Sequence, residues 1–318
     1  MAKAKEITGI DCAADALVWA TAVLRARFDE VIELRAEARD FSDIESVHQT
    51  RVATRRLRSA LHDFLPLMKK HPLKKTQKQL KLIADALGAV RDQDVAILAL
   101  KFLQSAAEKY PAGAPVKAGI ETIIAERGRL REAAQANLIE VLEADYLARL
   151  RDDFSAALDK ATKKKKSARI VSFNEAGREA VASGLNDLCS LGSSVYEPYG
   201  VERMHEMRIA AKRLRYAVEL FRACWGASIA PFASEIAEMQ TALGEVHDCD
   251  VWLKNLTGQL RGWKTGSPAH NSEYETAAWL LSSFVKMRTK HYRAALKLWS
   301  KWEITDFAGR MRETVQTA

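Results

Sequence analysis

One eleven-residue segment occurs twice in this chain. His48-Gln-Thr-Arg51-Val-Ala-Thr-Arg55-Arg56-Leu57-Arg58 returns as His205-Glu-Met-Arg208-Ile-Ala-Ala-Lys212-Arg213-Leu214-Arg215, a shift of 157 positions. A second segment follows each copy. Leu87-Gly88-Ala-Val90-Arg91-Asp92-Gln-Asp94-Val95 returns as Leu243-Gly244-Glu-Val246-His247-Asp248-Cys-Asp250-Val251, a shift of 156. Two matches in the same order at nearly one offset mean a duplicated unit, so the chain must fold as two related halves. The halves are read as 1–160 and 168–318, joined by a basic linker at 161–167. That linker holds Lys163 to Lys166, read first as a solvated run and second as loose attraction for a polyanion.

Glycine and proline are scarce, at 15 and 7 of 318 residues, and no stretch shows a strand-like alternation. The apolar residues recur at helical spacing, as at Leu17, Ala20, Leu24, Phe28, Val31 and Leu34. An all-α fold of two antiparallel four-helix bundles, related by a pseudo-twofold axis, is expected. Ser42 or Asp43 is placed to cap the helix that carries His48. Gly88 is read as a helix C-terminus, and Asp92 or Asp94 as the cap of the next helix. The segment from Tyr110 to Pro115 is read as a breaker. No window approaches the ~18 unbroken apolar residues of a membrane span, and no secretory signal stands at the start. Cys12, Cys189, Cys224 and Cys249 lack paired spacing, so no disulfide framework is expected and a reducing cytoplasm is the default.

The net charge is +8, but its distribution says more than its size. Between His48 and Lys81 ten basic residues share the segment with one acid, Asp63. Between Lys286 and Lys301 six basic residues stand with none. On a helix, His48, Arg51, Arg55 and Arg58 fall within about 80° of arc, and Arg56 lies on the flank. His205, Arg208, Lys212 and Arg215 repeat the stripe, with Arg213 as the flanking residue. Lys74, Lys78 and Lys81 share a face, as do Lys286, Lys290, Arg293 and Lys297. Arg127 and Arg131 are read as first-half counterparts of Lys286 and Lys290. Like charges at these spacings cost about 0.2–0.5 kcal/mol per pair. A bound anion would relieve that cost. Arginine also matches phosphate oxygens bidentately, which a merely solubilising face does not need.

A metal site is a weaker reading. His48 or His205 could join Asp92, Asp94, His247, Asp248, Cys249 and Asp250. Only the aspartates recur between halves, however, and Arg91 is no ligand. The aspartates are therefore read as helix caps and as partners that orient arginines. No metal and no cofactor are expected.

The doubled His-x-x-Arg-x-x-x-basic-Arg-Leu-Arg segment, each copy followed by Leu-Gly-x-Val-x-Asp-x-Asp-Val, resembles the CHAD domain, the conserved histidine α-helical domain. The resemblance runs from about Gly9 to the C-terminus. It implies two four-helix bundles around a basic central surface, binding of inorganic polyphosphate, and association with polyphosphate granules. The length leaves no room for a triphosphate-tunnel (CYTH) domain, so a stand-alone member without triphosphatase chemistry is expected. Two departures from the first-half motif are Lys212 for arginine and His247 for Arg91.

The expected function is non-enzymatic. A lattice of His48, Arg51, Arg55, Arg56, Arg58, Lys74, Lys78, Lys81, Arg131 and their second-half relatives would bind polyphosphate. Two rivals use the same charge. A metal-dependent phosphohydrolase needs clustered carboxylates beside the basic face. A nucleic-acid module needs aromatics for stacking, and only Tyr216 and Tyr292 accompany the stripes. No P-loop, Gly-x-Ser-x-Gly or His-Glu-x-x-His motif is present.

Overall fold

The structure is a computed structural model, and it describes residues 7–41, 43–108, 113–163, 170–262 and 268–317. The regular elements among them are helices, with one isolated bridge between Asp15 and Ser172. Helices α1 (Ala16–Glu33), α2 (Arg35–Arg39), α3 (Ile44–Phe64), α4 (Lys70–Ala107), α5 (Gly113–Val141) and α6 (Ala144–Ala161) precede the lysine run. Helices α7 (Phe173–Ser190), α8 (Val201–Phe221), α9 (Ala230–Gly262), α10 (Pro268–Ile304) and α11 (Phe307–Thr317) follow it. Lys164 to Lys166, most of that run, lie outside the described residues, as do the candidate cap Ser42 and much of the breaker around Tyr110.

The repeated segments fall on α3 and α8, and the second motif falls on α4 and α9. Asp43 caps α3 as its sequence suggests, accepting from the Glu45 amide at 2.9 Å. The expected break at Gly88 does not occur, and its counterpart Gly244 is no break either. Each glycine lies inside one long helix, and Asp92 and Asp94 are mid-helix rather than caps. The reason is the apolar register. Leu80, Ile83, Leu87, Val90, Asp94 and Ala96 are buried in an unbroken helical rhythm through Gly88. No proline interrupts it, and tertiary burial outweighs the ~1 kcal/mol that glycine costs a helix interior.

The buried apolar residues of the two halves run together. Phe64 of α3 meets Phe173 of α7 and Phe221 of α8, with ring centroids 6.0 and 5.5 Å apart. A second cluster joins the far ends of α4 and α5 to those of α9 and α10, through Leu100, Leu103 and Ile120 with Trp252, Leu256 and Phe284. Helices α3 and α8 pack directly on each other, which brings the two motif copies face to face.

The cysteine expectation is corrected. Cys12 and Cys224 form a disulfide, their Cα atoms 5.5 Å apart. A separation of 212 residues hides this pairing from any spacing rule. The same N-terminal stretch is clasped to the start of α7. The Ala16 amide donates to Val171 and the Phe173 amide to Ala14, both at 2.9 Å. The inference of a reducing compartment rested on unpaired cysteines and loses that support. Among the described residues, no helix is long and apolar enough to cross a membrane.

Candidate functional site

Arg51 and Arg55 on α3 and Arg208 and Lys212 on α8 converge where these helices meet. The backbone of α4 opens the space for Arg51. Its guanidinium lies over Gly88, 3.8 Å from where a Cβ would stand, and Nη2 reaches Asp92 at 3.3 Å. The second half repeats the arrangement, with Arg208 Nε 3.7 Å from the Cβ position of Gly244. Asp248 is the strongest of the opposite charges acting on Arg208. The recurring Leu-Gly-x-Val-x-Asp segment is therefore a bed for an arginine. Its glycine clears the helix face, and in the first half its aspartate takes a hydrogen bond from the fork.

The electrostatics record the crowding. Burial holds the Lys212 ammonium down to about 8, helped by Arg55, Arg208, Arg51 and Arg58 in that order. Burial also lowers Arg55 and Arg208. His48 is lowered first by burial and then by Arg91, and its Nδ1 is sealed without a protein partner. Arg55 Nε is likewise sealed and unpartnered. Asp248 is raised by burial, with Arg208 opposing. Arg55, Arg208, Arg51 and Arg58 all act on Lys212 as like charges.

The remaining expected residues divide. Arg58, Lys74, Lys78 and Lys81 do come together, lining an open cleft of about 440 Å³ between α3 and α4. Lys81 also reaches Asp85 at 2.6 Å. Lys286, Lys290, Arg293 and Lys297 are exposed along α10, and Lys297 borders a groove between α9 and α10.

Four residues depart from the expected basic surface. Arg56 and Arg215 are buried and share Glu219, at 3.5 and 2.8 Å. Arg215 also donates to Gln240 at 3.1 Å. The first half carries His62 and Ala84 at the positions of Glu219 and Gln240, which leaves Arg58 free to reach solvent. Glu219, one turn beyond Arg215, was the sequence signal for this difference. Arg213 turns toward α7, into a pocket with Asp63, Glu179 and Asp187. Arg131 is held by the buried Asp94 at 2.6 Å, and its counterpart is Arg288, held by Asp250 at 2.5 Å, not Lys290. Arg127 lies over the Trp252 ring, 5.1 Å from its centroid. Asp92, Asp94 and Asp250 thus hold arginines, as expected, and Asp92 and Asp94 do so from mid-helix rather than as caps. Among the described residues, no group of three or more His, Cys, Asp or Glu side chains is arranged to hold a metal ion.

Such a fold and site define a class: an all-helical protein with a cationic centre built from two copies of one motif. The chain belongs to the CHAD domain family, whose model matches residues 22–257. The crystal structure of the CHAD domain from the plant Ricinus communis is similar, with a TM-score of 0.70 and 19% identity over 93% of this chain and 95% of that one. PptA from Streptomyces chartreusis is also similar, with a TM-score of 0.68 and 14% identity over 90% of this chain and 100% of that one. No curated protein matches the chain.

Proposed function

We propose that this protein binds inorganic polyphosphate in the trough between α3 and α8, without catalysing its hydrolysis, and associates with polyphosphate granules. The family is one associated with polyphosphate binding. The observation that carries the reading is the crowding at Lys212, which burial and the charges of Arg55, Arg208, Arg51 and Arg58 press down to about 8. A cluster like this is costly when empty and favourable when an anion of high charge density fills it. Arg51, Arg55, Arg208 and Lys212 hold the centre of the chain. Arg58, Lys74, Lys78 and Lys81 extend the grip on one side, and Lys286, Lys290, Arg293 and Lys297 offer a further row on α10. Arg56, Arg131 and Arg215 are tied into ion pairs of the fold instead, and Arg213 lies on the α7 side, away from the cluster.

The test is retention on immobilised polyphosphate. Arg51→Glu with Arg208→Glu should abolish it while the helical circular-dichroism signal stays intact. Wild-type affinity should fall steeply with salt, by a log–log slope of about −0.7 for each phosphate neutralised. Retention that survives the double reversal overturns the reading. Preference for single-stranded nucleic acid at matched charge and salt would favour the nucleic-acid module. Phosphate release in Mg²⁺ or Mn²⁺ would favour the hydrolase.

A further inference from the structure

One of the differences between the two halves places a second histidine in the cationic cluster. The first half places Arg91 beside His48, and the second places His247 beside His205. The two imidazoles lie tilted against each other, centroids 4.3 Å apart and planes 33° apart, and their Nδ1 atoms are 3.1 Å from each other. At that distance one Nδ1–H donates to the lone pair of the other. The accepting ring then carries its own proton on Nε2. The donating ring, if neutral, has no proton left for its Nε2. A neutral pair therefore offers one Nε2–H donor and one bare acceptor. One added proton changes this: both Nε2 atoms become donors and the Nδ1 bridge survives. Neither Nε2 has a protein partner among the described residues.

We propose that His205 and His247 together form a phosphoryl subsite of the trough that takes up one proton when a phosphate chain binds. This rests on the polyphosphate reading above. The added proton goes from solvent to the donating ring, and the phosphate accepts from the two Nε2–H groups, with no covalent step.

Burial and the surrounding charges together explain why the proton waits for the ligand. On α8, Arg208 and Lys212 oppose it and Glu206 favours it on His205. On α9, Asp248 feels the charge of Arg208, and Glu245 faces His291 of α10 at 3.9 Å. The other groups that α10 brings to this side are already tied: Arg288 to Asp250 and the Pro198 carbonyl, and the Tyr292 hydroxyl to the Val195 carbonyl. Burial, then Arg208, His205 and Lys212, hold His247 at about 4, and burial lowers His205 too. Both rings are thus neutral near pH 7 in the empty protein. A phosphate screens Arg208 and Lys212 and reverses that balance. Arg91 gives the first half a permanent charge, while the second half has one that forms on binding.

The experiment is isothermal titration of the full chain with polyphosphate of defined length, near neutral pH, in two buffers of different ionisation enthalpy. The heat difference should report uptake of about one proton per site in the wild type. His247→Arg, which restores the first-half residue, should bind with that uptake lost. His247→Gln, which keeps a hydrogen-bonding group and cannot titrate, should lose it as well. Polyphosphate's own terminal ionisation is common to all three proteins and cancels. Binding with no buffer-dependent heat, or equal uptake in wild type and both variants, overturns the proposal and leaves the polyphosphate reading standing. An absence of binding in every buffer overturns both.

Discussion

Arg55 on α3 is the charged group that acts most strongly on Lys212 of α8, so the two copies of the motif meet through like charges. The same pair of helices is held on its other flank by Glu219 of α8, which reaches both Arg56 of α3 and Arg215 of its own helix. Attraction on one side of the contact fixes the helices close enough for repulsion on the other. A cationic trough needs both, because cations alone would drive α3 and α8 apart.

Lys212 should therefore limit stability while serving binding. Its folded pKa, about 8, is depressed from an ordinary 10.5. The unfolded chain then binds the proton more readily, so this residue's contribution makes stability rise as pH increases from about 8 to 10.5. Below that window the full cost is present, on the order of 1–2 kcal/mol once solvent screening is discounted. Lys212→Met should raise the thermal midpoint at pH 7, flatten the stability profile above pH 8, and weaken polyphosphate retention. Thermal unfolding across pH measures the first two. A lower midpoint at pH 7 would contradict the electrostatic account.

Glu219 and Arg58 should separate fold from function. Glu219→Ala leaves Arg56 and Arg215 buried without their shared carboxylate, and should cost about 3 kcal/mol of stability in a denaturant titration. Arg58→Ala removes an exposed side chain and should change stability by no more than ~0.5 kcal/mol. It should still reduce polyphosphate retention. The reverse pattern would mean that the stripe and its support have been assigned the wrong way round.

The glycines beneath Arg51 and Arg208 make a prediction of opposite sign. An added Cβ at Gly88 or Gly244 meets the guanidinium at ordinary contact distance, 3.7 Å or more. Alanine at either position should stabilise its long helix by up to ~1 kcal/mol. Leucine should instead displace the guanidinium and weaken polyphosphate binding. Circular-dichroism melts and retention of all four single variants test both statements.

The Cys12–Cys224 disulfide should matter to stability and not to the trough. Removing a bridge that closes so long a loop costs about 2–4 kcal/mol. Cys12→Ser, or reduction of the wild type, should lower the unfolding midpoint by a similar amount and leave polyphosphate affinity unchanged. Equal midpoints with and without reductant would show that the pair contributes nothing.

The duplicated motif, the helical class and the cationic stripe of α3 were legible from residue order alone. They depend on local spacing, and a helix converts spacing into a shared face whatever surrounds it. Gly88 misled for the same reason. In isolation glycine is a helix end, and only the buried rhythm on both sides carries α4 through it. Which basic residues stay available was a tertiary decision. Arg58 and Arg215 occupy equivalent positions, yet only Arg215 finds Glu219 and Gln240. Arg131 was claimed by Asp94, 37 residues away. The facing of His205 and His247, 42 residues apart, and the joining of Cys12 to Cys224 were likewise invisible in the chain. Contacts between distant residues follow from how helices pack, and packing is a property of the whole folded core, not of any one segment.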